Sequence, residues 1–133
     1  MRSLHWLFSG FALAACSARA FVSNPQALAD GPWGGDQIAI DVVASGADIE
    51  FECAAGRITE TLKIDERGDF DLRGVFTPQS HGPERDDSSS TTQARYQGRV
   101  KGDAMTLTVV NGDKTLGPFS LIRGRASVLR KCR

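Results

Sequence analysis

The 133 residues include only three cysteines and two histidines, few of the side chains that most often build metal centres, redox centres and nucleophilic triads. No C-x-x-C or H-E-x-x-H spacing occurs, and Asp86-Asp87 lacks the Gly and closing Glu of a calcium loop, so no metal and no cofactor is expected. Charge of one sign is missing too. Lys plus Arg and Asp plus Glu each total 16, but Arg2 and Arg19 lie in the first twenty residues, and a chain beginning at Phe21 is slightly acidic. Apart from a basic stretch from Arg123 to Arg133 the cations are dispersed among carboxylates, which argues against a nucleic-acid partner. The longest apolar run, Trp6 to Ala15, is too short to span a bilayer. Glycine, in contrast, is plentiful, as tight turns require.

That short run follows Met1-Arg2 and precedes small residues, the layout of an export signal over residues 1–20. Two processing sites overlap. Leu13-Ala14-Ala15-Cys16 resembles the bacterial lipobox, which implies lipidation of Cys16 and a membrane contact through that anchor alone. Ala18-Arg19-Ala20 before Phe21 fits ordinary signal peptidase and a soluble product. The expected location is accordingly periplasmic or an outer-membrane lipoprotein under the first, otherwise secreted, with residues 21–34 as a linker and 35–133 as the folded domain.

Under either cleavage Cys16 leaves the free-thiol pool, so Cys53 and Cys132 remain. In an oxidising compartment such a pair is most simply a disulfide; closing a loop of about 80 residues contributes up to ~4 kcal/mol in the chain-entropy model. No histidine or further cysteine stands near either residue to suggest metal or redox work.

From Gly35 onwards apolar and polar residues alternate, with Gly, Asp or Asn about every ten residues, the rhythm of strand and turn. Ile38, Ile40 and Val42 share a face; Ile49, Phe51 and Cys53 follow; then Ile58, Leu62 and Ile64; then Phe70, Leu72 and Phe76. After a polar stretch from Pro78 to Gln93 the pattern resumes at Ala94, Tyr96 and Val100, at Met105, Leu107 and Val109, and at Phe119 and Leu121, with a last strand over 126–132. Eight short strands predict an all-β, antiparallel up-and-down barrel, or a coiled sandwich, because closure removes exposed edges. Phe51, Phe70, Phe76, Tyr96, Met105, Leu107 and Phe119 are bulky enough to fill its interior, which predicts no deep cavity. Gly74 and Gly98 fall on the inward phase, as strand bends or as room for a neighbouring ring. Glu60 also falls on that phase; a bulge or a rim position would turn it outward, and otherwise it would pair with an Arg such as Arg95 or with a ligand cation.

Trp33-Gly34-Gly35, Cys53-Ala54-Ala55-Gly56, Gly68-Asp69-Phe70, Ala94-Arg95-Tyr96-Gln97-Gly98, Met105-Thr106-Leu107 and Cys132 together resemble a group of small exported bacterial proteins of unknown function. Phe51-Glu52-Cys53 with Gly56, Ala94-Arg95-Tyr96 and Lys101-Gly102-Asp103-Ala104 are similar to the membrane-bound inhibitors of c-type lysozyme. That resemblance implies a small eight-stranded barrel, pairing of the early and late Cys, and a loop before Ala-Arg-Tyr that enters the lysozyme cleft. This chain departs from the pattern: Thr92 and Gln93 stand where the family has Ser-Gly, and Lys101 follows Tyr96 closely.

The functional expectation is a non-enzymatic envelope or secreted binding module whose partner is an unidentified envelope protein or ligand. Its contact residues are Thr92, Arg95, Tyr96, Arg99 and Lys101. Inhibition of lysozyme through residues 91–102 is the alternative, and a hydrolase using His81 with Asp86 or Asp87 is a third.

Overall fold

The computed structural model of the chain describes residues 25–79 and 91–130. Ten strands follow one another there: β1 (Gln26–Ala27), β2 (Gly31–Gly35), β3 (Ile38–Val43), β4 (Gly46–Phe51), β5 (Ala54–Ile58), β6 (Lys63–Ile64), β7 (Asp69–Pro78), β8 (Thr92–Lys101), β9 (Ala104–Asn111) and β10 (Lys114–Arg123). No helix occurs among the described residues. Eight of the strands close an antiparallel barrel in the order β10-β2-β3-β4-β5-β7-β8-β9, and β1 pairs with β6 outside it. An even number of strands lets β10 return antiparallel to β2, so every strand in the ring has two neighbours and no edge is left open.

The alternation of the sequence becomes the two sides of this wall. Ile38, Ile40, Val42, Ile49, Ile58, Leu107, Val109 and Leu121 are enclosed, each contributing about 1.5–3 kcal/mol of apolar burial. Tyr96 is fully buried among them, and its hydroxyl donates to the Val75 carbonyl at 2.6 Å. Space for its ring comes from the inward glycines: a Cβ at Gly74 would lie 2.7 Å from the ring, and one at Gly56 would overlap the phenolic oxygen. Gly98 makes the same room for Phe70, whose ring atoms are 2.5 Å from where its Cβ would be.

Two expectations are corrected. The eighth strand is not 126–132 but Gly31–Gly35, which runs from the stretch 21–34 expected to be linker into the first residue of the expected domain; Trp33 stands opposite Ile40 and Arg123, and residues 124–130 leave the barrel wall. The chain then crosses the outside of β2, where Val128 bridges to Asp36 and Gln37 N–H donates to Val128 O at 3.0 Å. Gly34 admits this crossing, since a Cβ there would overlap the Arg125 carbonyl. Second, the expected strand 58–64 stops at Ile58. Glu60 is therefore exposed, neither inside the barrel nor paired with Arg95; its Oε2 accepts from Arg73 N–H at 2.8 Å.

The stretch between β5 and β7 turns back to meet β1. Leu28 N–H donates to Leu62 O at 2.8 Å, and the buried Leu28 and Leu62 side chains join the core at that end of the barrel. Asp65 Oδ1 accepts from Arg67 N–H and Asp69 N–H at 2.8 and 2.9 Å, holding the return into β7. Cys53 sits exposed in the two-residue turn between β4 and β5, not on the strand face with Ile49. Cys132, residues 1–20 with Cys16, and His81, Asp86 and Asp87 lie outside the described residues.

Candidate functional site

The two ends of the barrel differ in what closes them. At the end that holds the turns at 44–45 and 102–103, Leu28 and Leu62 are buried, and the Arg123 guanidinium lies 4.5 Å over the Trp33 ring. At the opposite end three phenylalanines meet: the Phe51 ring is 5.6 Å from Phe76 and 5.6 Å from Phe119, tilted at 58° and 53°. They line, with Leu116, Ala54, Cys53, Glu52 and Gln37, a concavity of ≈ 280 Å³.

Local sequence explains this mouth. β4 ends on Phe51, inward like Ile49 but with no further turn of strand above it. In β10 the pairs Leu116↔Val109 and Phe119↔Leu107 enclose an extra residue, a bulge at Gly117-Pro118. Both Leu116 and Phe119 thus oppose inward residues of β9, which simple alternation three positions apart forbids. Phe51, Leu116 and Phe119 are half-buried; Phe76 below them is buried.

The residues expected to make contact are divided among different surroundings. Arg95, Arg99 and Lys101 do face outward on β8. Arg95 Nε and Nη2 donate to Asp71 Oδ1 and Oδ2 at 3.1 and 2.8 Å, and Arg99 donates through Nε to Asp69 Oδ1 and through Nη2 to Asp69 Oδ2 at 3.1 Å. The hydrogen bond and charge of Arg99 hold the Asp69 carboxyl below its ordinary 3.8, against a smaller opposing effect of desolvation; the same pair raises Arg99. These forks neutralise the cations on which binding was expected to rest. Lys101 is exposed at the end of the strand, and Thr92 Oγ1 donates to Asn111 Oδ1 at 2.8 Å. Tyr96 is corrected from contact residue to core: wholly enclosed, it reaches no partner, and burial pushes its hydroxyl up to about 12 despite the nearby Arg57 backbone.

Of residues 91–102, through which lysozyme inhibition was expected to act, Thr92–Lys101 form strand β8, paired with β7 on one side and, from Arg95 onwards, with β9 on the other. Sequence reasoning missed Leu116, Glu52, Asp36 and Gln37 as surface residues of the mouth. Asp36-Gln37 would have been found as a hairpin turn had Trp33-Gly34-Gly35 been read as a strand. No group of three or more potential metal ligands occurs among the described residues. Compared with known proteins, the chain matches no family model, no curated protein and no solved structure.

Proposed function

We propose that this chain is an exported, non-enzymatic binding module of the bacterial envelope whose contact is made at the phenylalanine-lined mouth. The observation that carries the reading is the asymmetry of the barrel: leucines plug one end, while at the other half-buried Phe51, Phe119 and Leu116 surround an apolar concavity. Export is supported by the apolar leader, and attachment by Leu13-Ala14-Ala15-Cys16. A Cys53–Cys132 bridge is supported by the course of the chain, since Val128 and Arg130 line a depression together with Glu52, the neighbour of Cys53. It would tie the crossing segment to the β4–β5 turn.

Titration of the mature chain with Nile red, a neutral apolar dye, tests the mouth. The dye gains fluorescence with wild type and loses it with Leu116→Gln and Phe119→Ser variants that keep the wild-type circular dichroism. Equal fluorescence in folded variants refutes the assignment. Palmitate labelling of wild type and Cys16→Ala decides the anchor, and alkylation followed by mass measurement of protein from the envelope decides the bridge.

Inhibition of c-type lysozyme is a second reading, favoured by the eight-stranded ring that the resemblance implies. Contact would have to come from turns at a barrel end, because β8 has both edges occupied. A muramidase assay without inhibition at micromolar protein removes it.

A further inference from the structure

We propose that the mouth takes an extended protein segment presenting one large apolar side chain with a Lys or Arg beside it. The inference rests on the mouth being the contact site and names the chemistry of its partner.

Two concavities adjoin there. The apolar one, ≈ 280 Å³, shares Gln37 and Glu52 with a second of ≈ 420 Å³ lined also by Asp36, Val128 and Arg130. Pockets for whole small molecules run from about 300 to 1,000 Å³, so the apolar one is the size for a side chain carried by a larger partner. Its neighbour is polar and has two carboxylates to one cation. Among the described residues the Asp36 and Glu52 carboxylates meet no hydrogen-bond or ion-pair partner, in contrast to Asp48, Asp69 and Asp71, each of which is met by an arginine on the next strand. A basic group arriving at Asp36 and Glu52 therefore displaces no partner among the described residues, and an acidic one meets an excess of negative charge.

The ridge between the two depressions is fixed. Gln37 holds a left-handed backbone, φ 70°, in the turn between β2 and β3, and its N–H is bound to Val128 O. Such a rigid divider between an apolar and an acidic pocket suits an extended chain, whose neighbouring side chains enter separate pockets.

The test uses amide spectra of the ¹⁵N-labelled mature chain titrated with acetyl-Gly-Ser-Phe-Lys-Lys-Gly-amide. Counterparts carry Glu for both Lys, or Ser for Phe. The basic peptide shifts the amides of Gln37, Phe51, Glu52 and Phe119 and binds at least about fivefold more tightly than the acidic one at low salt. The Ser peptide binds more weakly than the Phe peptide. In the Asp36→Asn, Glu52→Gln double variant, both substitutions being in turns, the preference for the basic peptide disappears. Equal affinity of basic and acidic peptides, or a preference that survives the double variant, overturns the charge assignment while leaving the apolar mouth in place. No shift from any peptide, together with no Nile red binding, overturns both.

Discussion

The phenolic oxygen of Tyr96 occupies the space that a side chain at Gly56 would need, on a strand that does not pair with its own. The hydroxyl donates to the Val75 carbonyl of the adjacent strand β7, so the ring lies along the inner face of β7 and its oxygen reaches Gly56 on the strand beyond. Gly56→Ala places a methyl group against that oxygen, and the cost is about 1–3 kcal/mol of overpacking. Chemical denaturation measures it. The double variant Gly56→Ala, Tyr96→Phe removes the oxygen along with its hydrogen bond, itself worth about 1 kcal/mol, and should be less destabilised than the sum of the single changes. Additive losses would show that Gly56 is needed for some other reason.

Tyr96 is the one tyrosine of the chain, which makes its ionisation directly visible. Its ordinary pKa is 10.0 and the folded value is about 12, raised by burial, so folding favours the neutral phenol. The corresponding stability is present in full below pH 10 and is lost as pH rises through 12. Absorbance at 295 nm should show no phenolate at pH 10.5 in the folded chain, then a rise that coincides with loss of the β spectrum. A midpoint near 10 with the fold intact would place the ring in water.

At the acid end the Asp69–Arg99 fork works in the opposite direction. Asp69 has a folded pKa below 3.8, so its contribution is present above about that pH and disappears as pH falls through the lowered value. Arg99→Gln should lower the melting temperature slightly at pH 7, since exposed pairs are weak, and the gap from wild type should narrow as the Asp69 carboxylate is protonated in acid and in 1 M salt. A gap independent of both would assign the effect to lost packing of the arginine stem.

The period-two pattern made the interior of the barrel legible, because Ile38, Ile40, Val42, Met105, Leu107 and Val109 keep strict alternation on unbroken strands. Gly74 and Gly98 were legible as room for rings for the same reason. Trp33-Gly34-Gly35 was not legible as a strand: two of its three residues have no side chain, and its place is fixed by distant partners, Ile40 and Arg123. The mouth was hidden by the bulge at Gly117-Pro118, which shifts phase within β10. The pairing of the expected cationic surface was hidden by cross-strand neighbours: Arg95 and Arg99 look free along β8, and only the register with β7 brings Asp71 and Asp69 against them.

Gly34 gives a test of the chain's crossing over β2. A Cβ there would overlap the Arg125 carbonyl and lie 2.9 Å from Ser127 N, both backbone atoms that cannot rotate aside. Gly34→Ala should therefore lift residues 124–130 while the ring of strands persists. Limited trypsin digestion should cleave after Arg125 or Arg130 faster in the variant, with little change in the β spectrum. Unaltered cleavage would mean that the segment accommodates the methyl group.

Trp33 is buried with its Nε1 unpartnered, and Arg123 stacks on it while Arg123 Nε lies 3.3 Å from Asp103 Oδ1. In a chain prepared from Phe21 onwards Trp33 is the one tryptophan, so its emission reports this end of the barrel. Arg123→Ala removes both the cation and the stem that covers the ring, at a cost of about 0.5–1 kcal/mol for a partly exposed site. Emission should move to longer wavelength as water reaches the indole, and quenching by acrylamide should increase. Arg123→Lys keeps a charge but loses the flat stacking surface, so it should fall between wild type and the alanine variant. Identical emission in all three would show that Leu28, Leu62 and the strands shield Trp33 without the arginine.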